Sequence, residues 1–360
     1  MERLITFFNR KSYSHTAIKG GLTILFAAIA LSGSAEEREV TVKNPKDGIT
    51  LAGTLAAPDS SPKAAILLAS GSGPQNRDEE IMGLKPFKVL SDSLTAAGYA
   101  VLRMDDRGTA GSGGDFQAAT ATDFIGDLCA SLSFLDSCYT SIPKGIIGHS
   151  EGGQLAIRIA AQAKNDSTSL SSSPDFIITL AAPAWRGDSL IMSQARALST
   201  AMTGSWPGEA MQREILDIAR GPLPTGIASP MVYAIISKEL GEAARLPQVS
   251  KQLNTQVSAV LSPYYREMLR YDPEDDIKAV DIPWLALNGD KDLQVLPDNL
   301  KTIAGQNPSA SVVLLPGLNH LFQRASSGLP AEYPSAGQSP ASGVTSAIIT
   351  WLDSVTEKGK

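Results

Sequence analysis

A serine flanked by glycines is the first feature of the sequence that could do chemistry. Ser150 lies in "GIIGHSEGG", with Gly148 before it and Gly152 and Gly153 after it. Apolar residues precede the serine and a helical pattern, "QLAIRIAA", follows it, which predicts a strand, a tight turn and a helix. Such a turn needs small neighbours because its backbone is strained and closely packed. It would place the serine hydroxyl above the free N–H groups of a helix, a position that suits a nucleophile.

A serine nucleophile needs a base, which is nearly always histidine. The chain has three histidines. His15 lies in a segment that we expect to be removed, and His149 is adjacent to Ser150, where successive strand side chains point to opposite faces. His320, in "LLPGLNHLFQ", directly follows the last predicted strand and would emerge at the same sheet edge as the serine. His320 is therefore the predicted base.

The base needs a carboxylate to orient it, and "LNGDKDLQVLPD" offers Asp290, Asp292 and Asp298. Asp290 follows Asn-Gly and is well explained as a turn former, whereas Asp292 lies beyond the turn and is free to point across the edge. We therefore favour Asp292 over Asp290. The resulting chain order, serine then aspartate then histidine, is that of hydrolase triads on open α/β sheets.

An acyl-transfer site also needs two donors for the oxyanion. The N–H of Glu151, directly after the serine, is the first predicted donor. The loop "LASGSGPQNRDEE", after the third predicted strand, supplies the second, which we assign to Ser72, with Gly73 as the alternative. Taken alone, this loop would be interpreted as a flexible glycine turn with solvated charges.

The elements that must position these residues alternate regularly from Glu36 onward. The predicted strands are "REVTVKN", "GITLAGTLAAP", "AAILLAS", "YAVLRMD", "GIIGH", "FIITLAA", "PWLALNG" and "SVVLLPG", and helices are expected near 84–98, 122–136, 151–164 and 343–357. The first two strands alternate like a hairpin, and several later strands are continuously apolar. This order predicts a doubly wound, mostly parallel eight-stranded α/β sheet with an antiparallel start.

One interval interrupts this alternation. Residues 183–282 contain helical stretches punctuated by Gly and Pro and no convincing strand, which predicts a helical cap inserted into a core made of 36–182 and 283–360. Five methionines and two tryptophans fall in or beside this interval. They suit an adaptable apolar pocket, and ordinary packing of cap helices explains them equally well.

Residues 1–35 have the order of an export signal. Four basic residues precede the 11-residue apolar run "GLTILFAAIAL", and "SGSAEE" follows, which predicts a signal peptide cleaved after Ala35. The alternative, an uncleaved anchor, is disfavoured because a membrane-spanning helix needs about 20 residues. We expect an exported protein, periplasmic or secreted, without stable membrane insertion after the signal is removed.

Composition excludes several classes of partner. The chain has 360 residues, of which 43% are hydrophobic and 19% charged, as in a soluble globular protein. Its formal charge of −6 and the lack of a basic run argue against nucleic acid and anionic lipid, which leaves small neutral molecules. Cys129 and Cys138 could form a disulfide or remain free thiols, and neither alternative suggests a metal site. The predicted chemistry needs no cofactor.

Five motifs together resemble the α/β-hydrolase superfamily, and most closely the bacterial serine esterases related to prolyl-oligopeptidase-type enzymes. They are "GHSEGG", "SGSGPQNRDEE", "MDDRGTAGSGGDF", "LNGDKDLQV" and "GLNHLFQ". The resemblance covers about 38–182 and 283–355 and implies the same nucleophile, acid and base as the residues themselves. It departs at Ser70-Gly71, where many relatives have His-Gly, and in a glycine-rich turn whose Asp105, Asp106 and Arg107 we expect to brace loops.

These observations predict a serine carboxylesterase that hydrolyses small or medium acyl esters through an acyl-enzyme. A serine peptidase of the prolyl-oligopeptidase type is the alternative. It is less favoured, because those enzymes usually carry a large domain before the hydrolase domain and none fits between Ala35 and the first strand. A non-catalytic binding protein on the same fold is the third hypothesis.

Overall fold

The computed structural model describes residues 36–165 and 172–356. The predicted signal peptide, residues 1–35, lies outside the described residues. Within the described ranges, no helix combines the length and the apolar character that a membrane crossing requires.

One sheet of eight strands organises the described chain, in the order β1-β2-β4-β3-β5-β6-β7-β8. The strands are β1 Glu36–Lys43, β2 Thr50–Ala57, β3 Ala65–Ala69, β4 Ala100–Met104, β5 Lys144–His149, β6 Phe176–Leu180, β7 Trp284–Gly289 and β8 Ser311–Leu315. Strand β2 pairs antiparallel with β1 and β4, and every other pairing is parallel. The predicted mostly parallel sheet with an antiparallel start is confirmed.

Helices cover both faces of the sheet. They are α1 Pro86–Ala96, α2 Ala121–Cys138, α3 Glu151–Asn165, α4 Gly187–Thr203, α5 Glu209–Arg220, α6 Thr225–Leu240, α7 Pro247–Val260, α8 Pro263–Arg270, α9 Glu274–Ala279, α10 Asp298–Gln306 and α11 Ser342–Thr356. Helix α10, between β7 and β8, was not among the helices expected from the sequence. It is short, and only Leu300 and Ile303 give it a buried apolar side.

Alternation along the buried strands separates two apolar cores. In and beside β3, Leu67 packs with α2 and α3 on one face, whereas Ile66 and Leu68 pack with α1 and α11 on the other. Successive strand side chains point to opposite faces, so a strand with helices on both sides must be apolar throughout. This explains the continuous apolar runs in the sequence.

Helices α4 to α9 lie between β6 and β7, which are neighbours in the sheet through the pair Ile177 and Trp284. Most of these helices share a small apolar core of their own, which includes Leu216, Val232 and Leu253. Helix α9 differs, because its Ile277 packs with the sheet instead. We call α4 to α8 the cap helices.

The beginning and the end of the cap meet at its base. The N–H of Gly187 donates to the carbonyl of Tyr271 at 3.1 Å. A Cβ atom on Gly187 would lie 1.9 Å from the carbonyl oxygen of Met268, so only glycine permits this close crossing.

The two cysteines are free thiols on α2. Cys129 is buried among the residues that pack beneath the sheet, and this burial raises the pKa of its thiol to about 11. Cys138 is the last residue of the helix. A continuous helix holds positions nine apart roughly 13 Å from each other, which is too far for a disulfide.

Candidate active site

Ser150 occupies a strained turn between β5 and α3. Its φ is 52°, in the left-handed region that side-chain-bearing residues rarely adopt. The N–H of Ser150 donates to the carbonyl of Leu180 at 2.8 Å, and the Ser150 carbonyl accepts from the N–H of Gly153 at 3.1 Å. These bonds on both sides hold the turn in place, as such strained backbone requires.

The glycines around Ser150 are required by close backbone contacts. A Cβ atom on Gly148 would lie 2.3 Å from the carbonyl oxygen of Gly152, and one on Gly152 would lie 2.1 Å from that of Ala69. Both distances are far below any normal contact. The spacing that drew attention in the sequence therefore follows from packing between β5, α3 and the end of β3.

His320 and Asp292 form a buried pair at the same carboxyl edge of the sheet. Nδ1 of His320 lies 2.8 Å from Oδ2 of Asp292, and the residues are 5% and 1% exposed. The N–H groups of Gln294 and Val295 donate to the other carboxylate oxygen at 2.8 and 2.9 Å. A carboxylate fixed in this way orients the ring and assigns its proton to Nδ1, which leaves Nε2 as an acceptor.

The other two candidate carboxylates lie elsewhere. Asp290 accepts the N–H of Gly317 at 2.7 Å and serves the turn, as its place after Asn-Gly suggested. Asp298 lies at the start of α10 and pairs with the exposed Lys301 at 2.7 Å. Of the three aspartates in this loop, Asp292 is the one that the structure places against His320.

His320 also lies beside the end of β5, where Ser150 follows. The rings of His149 and His320 are 4.8 Å apart between centroids, and Nε2 of His149 lies 3.0 Å from the backbone oxygen of His320. The predicted nucleophile, base and acid thus share one edge of the sheet.

The loop after β3 lies against the nucleophile. A Cβ atom on Gly71 would be only 3.3 Å from Cβ of Ser150. The N–H of Gly71 already donates to Oε1 of Glu79 at 2.7 Å. The next N–H, that of Ser72, has no hydrogen-bond partner among the described residues, which suits the donor role predicted for it.

Two carboxylates brace this loop. Asp106 accepts the Ser70 hydroxyl at 2.7 Å and the Gln75 N–H at 2.8 Å, and burial raises the pKa of Asp106 to about 7. Asp105 binds the Arg77 guanidinium at 2.8 Å. These contacts agree with the expectation that the residues of "DDRG" brace loops, and Arg107 likewise binds Asp127 and Asp47.

One cap side chain reaches the turn that carries Ser150. The hydroxyl of Tyr264, on α8, donates to the carboxylate of Glu151, and the nearby Ser72 hydroxyl also favours the charged form of that group. Burial raises the pKa of Glu151 above its ordinary value, although these two hydroxyls oppose the change. The Tyr264 ring also packs on Phe116 and Phe124, with centroids 5.9 and 5.8 Å away.

Sequence analysis missed three participants in this arrangement. It set His149 aside as a base, interpreted Glu79 only as a charge in a turn, and gave Tyr264 no role. For His149, the available signal was its position at the end of a strand, next to Ser150. The described residues contain no group of three or more His, Cys, Asp or Glu side chains placed to hold a metal ion.

Known proteins resemble this chain in sequence and in fold. Residues 66–329 match the model of the alpha/beta hydrolase family. The chain is similar to Esterase EstD of Thermotoga maritima, with 24% identity over 309 residues. That match covers 84% of this chain and 64% of EstD, so the chain spans less than two thirds of that protein.

Two solved structures show the same fold. An esterase from Pyrococcus furiosus superposes with a TM-score of 0.54 at 15% identity, over 92% of this chain and 96% of that one. A proline iminopeptidase from Mycobacterium smegmatis superposes with a TM-score of 0.54 at 13% identity, over 90% and 100%. An esterase and a peptidase match equally well, so the fold alone does not distinguish these two activities.

Proposed function

The chain belongs to the alpha/beta hydrolase family, and we propose that it is a serine carboxylesterase that uses Ser150, His320 and Asp292. The family match confirms the resemblance found in the sequence. The observation that carries the proposal is the buried His320–Asp292 pair at the sheet edge where the strained turn presents Ser150. The similarity to a protein named as an esterase supports ester substrates.

The proposed reaction is a two-step acyl transfer. Nε2 of His320 takes the hydroxyl proton of Ser150 while the serine oxygen attacks the ester carbonyl. The N–H groups of Glu151 and Ser72 donate to the oxygen that becomes negative. The alcohol leaves with the proton from His320, and water then attacks the acyl-enzyme by the same route and releases the acid. Asp292 stabilises the imidazolium in both steps.

The raised pKa of Glu151 fits this role for the adjacent backbone. A charged carboxylate beside the oxyanion would repel it, and a raised pKa favours the neutral carboxyl. The Glu151 N–H belongs to the first turn of α3, where backbone donors have no partner within the helix. The helix dipole adds to the stabilisation of negative charge at this point.

The proposed substrates are small or medium acyl esters. The cap methionines divide into two groups, because Met192, Met211 and Met268 pack against the core of the cap, whereas Met202 and Met231 are exposed. Packing therefore accounts for three of the five. Hydrolysis rates along a series of acyl-chain lengths test this preference, and a strict demand for long chains would contradict it.

The test is hydrolysis of p-nitrophenyl esters from acetate to decanoate, with Ser150→Ala and Ser346→Ala in parallel. Ser346 is an exposed serine on α11 and serves as the matched control. We expect Ser150→Ala to lower kcat by at least about a thousandfold, and Ser346→Ala to leave it unchanged. Activity that survives in Ser150→Ala would refute the nucleophile. Turnover of p-nitroanilides but not of the esters would favour the peptidase.

We also propose that the protein is exported and that its mature chain begins at Glu36. The support is the charge and apolar pattern of residues 1–35. The intact mass of protein recovered from the periplasm or the medium of the expressing bacterium would show which residue comes first. A chain that retains residues 1–35 would contradict this proposal.

A further inference from the structure

A second histidine–carboxylate pair lies directly behind the turn that carries Ser150. Nδ1 of His149 is 2.8 Å from Oε1 of Glu79, and the two residues are 5% and 1% exposed. We infer that Glu79 and His149 form a buried ion pair that positions two parts of the active site. One is the loop after β3, which carries the proposed donor Ser72, and the other is the backbone of His320. The inference rests on the proposed function, because it assigns Glu79 and His149 a role in that reaction.

The pair connects the loop after β3 to the loop after β8. Oε1 of Glu79 accepts the N–H of Gly71 at 2.7 Å, and Nε2 of His149 lies 3.0 Å from the carbonyl oxygen of His320. A continuous hydrogen-bonded path therefore runs from the loop after β3, through Glu79 and His149, to the loop after β8. Ser150 directly follows His149 in the chain, so the path passes beside the proposed nucleophile.

The acceptors around His149 determine its protonation. A carbonyl oxygen only accepts, so Nε2 must carry a proton. Oε1 of Glu79, which already accepts from Gly71, also acts as an acceptor towards Nδ1. A ring that donates from both nitrogens is an imidazolium, and the negative carboxylate of Glu79 balances its charge.

The electrostatic surroundings favour this state. Burial disfavours the charged ring, but the negative charge and hydrogen bond of Glu79 and the carbonyl of His320 together raise the pKa of His149. The negative charge of Asp292, in the loop after β7, acts on the pKa of His149 in the same direction. The neighbouring titratable ring is that of His320.

The backbone of Glu79 carries strain. Glu79 has a φ of 52°, and Phe322, two residues after His320, has a φ of 57°. Such strained backbone persists where the surroundings fix it. One of these strained residues lies within the path and the other lies just beyond His320. Their backbone indicates that the fold holds Glu79 and the His320 segment in place.

The contacts of Glu79 are concentrated on one oxygen. Oε2 is buried and has no hydrogen-bond partner among the described residues, which is unfavourable for a polar atom. Phe87, Leu90 and Phe322 line the small cavity beside Glu79 and His149. A neutral apolar side chain would be more stable in such surroundings. The carboxylate therefore contributes through the hydrogen bonds of Oε1 with Gly71 and His149, and not through stability.

These contacts bear on the transition state. Gly71 precedes Ser72, so a displacement of Gly71 moves the proposed oxyanion donor. A displacement of the His320 carbonyl turns the base away from Ser150. Glu79 and His149 act through the backbone of Gly71 and His320 and are therefore positioning residues, whose loss should lower kcat with little change in KM.

Glu79→Gln tests the role in turnover. A neutral amide cannot balance an imidazolium, so His149 would keep one proton and lose one of its two links. We expect kcat for p-nitrophenyl acetate to fall about 10- to 100-fold with KM changed less than about threefold. Glu80→Gln, at the adjacent exposed carboxylate, is the matched control and should retain wild-type kinetics. Wild-type kcat in Glu79→Gln would overturn the inference.

A spectroscopic test of the same pair does not depend on activity. In the protein labelled with ¹⁵N-histidine, the ring of His149 should keep both nitrogens protonated at about pH 8, whereas an ordinary histidine loses one proton near 6.5. Folded Glu79→Gln should show a neutral His149 at about pH 8. A neutral His149 at that pH in the wild type would overturn the inference, even if Glu79→Gln does not fold. An inactive wild type with a doubly protonated His149 would instead count against the esterase alone.

Discussion

The carboxyl edge of the sheet and the cap use charged groups in opposite ways. At the edge, histidines and carboxylates are buried in pairs, as in His320 with Asp292. In the cap, ion pairs such as Arg213 with Glu209 and Arg245 with Glu242 are exposed on the helix surfaces. Exposed pairs contribute little to stability, whereas loss of one partner from a buried pair is strongly destabilising.

This difference separates the sheet edge, where the geometry of the side chains is fixed, from the cap, where the molecule tolerates change. A buried pair holds its atoms because each polar group has lost water and depends on its partner. The cap has a small core and large exposed apolar side chains, among them Ile227 and Leu246. We therefore expect substitutions at the edge to change turnover, and most substitutions in the cap to change it little.

The largest effect should come from the acid of the proposed triad. Asp292→Asn keeps the shape of the side chain but presents the wrong hydrogen-bonding group to His320, and kcat should fall by about 10⁴. Asp290→Asn is the matched control in the same loop, because the Asp290 carboxylate accepts the backbone N–H of Gly317. Steady-state kinetics on p-nitrophenyl acetate measures both. Equal losses of kcat in Asp292→Asn and Asp290→Asn would show that the buried pair of Asp292 with His320 has no special role in turnover.

An intermediate effect is expected where the cap meets the edge. Tyr264→Phe keeps the ring contacts with Phe116 and Phe124 but removes the hydroxyl that binds Glu151. We expect kcat/KM to fall about tenfold, the equivalent of about 1.4 kcal/mol. Tyr265→Phe, at the next position of α8, should change it less than about twofold. An unchanged Tyr264→Phe would place the whole cap among the tolerant regions.

The smallest effect is a pH dependence of opposite sign in the two regions. At the edge, burial raises the pKa of Asp106 to about 7, so its contribution to stability is present at acid pH and is lost as the pH rises towards 7. At the cap base, burial opposes the charge of Asp188, but Arg186 and the Ser189 N–H lower the pKa of Asp188. Its contribution is present near neutrality and is lost as the pH falls through the lowered pKa.

Thermal unfolding of Asp106→Asn and Asp188→Asn over about pH 3 to about pH 8 measures these contributions. Relative to wild type, Asp106→Asn should gain stability as the pH rises, and Asp188→Asn should gain it as the pH falls. Differences of a few degrees in Tm are expected. The same slope in both variants would contradict the contrast between edge and cap.

What the sequence predicted depended on local signals. The turn at Ser150 follows from glycines within five residues, and the buried strands follow from short continuous apolar runs. His320 and Asp292 were chosen because they follow predicted strands, whose carboxyl ends lie at one edge. These residues could be named without knowledge of any contact.

What the sequence did not predict depends on contacts between distant segments. Glu79 lies in a loop that resembles any charged turn, and its partner His149 is 70 positions away. Tyr264 meets Glu151 across 113 positions, from a helix that has no distinguishing motif. Pairing over such separations is set by the packing of the cap on the sheet, which leaves no periodic pattern in the chain.

The hydrogen bond between Gly187 and Tyr271 at the base of the cap bears on how the chain folds. Strands β6 and β7 are neighbours, but the whole cap separates them in sequence, so their pairing requires closure of a long loop. Closure becomes less favourable as the free loop lengthens, and non-local pairings of this kind slow folding. Once the cap helices have formed and Gly187 has met Tyr271, the free chain between the two strands shrinks to short connectors on either side. A cap that folds first would therefore hold β6 and β7 within reach of each other, and would join the last two strands to the other six.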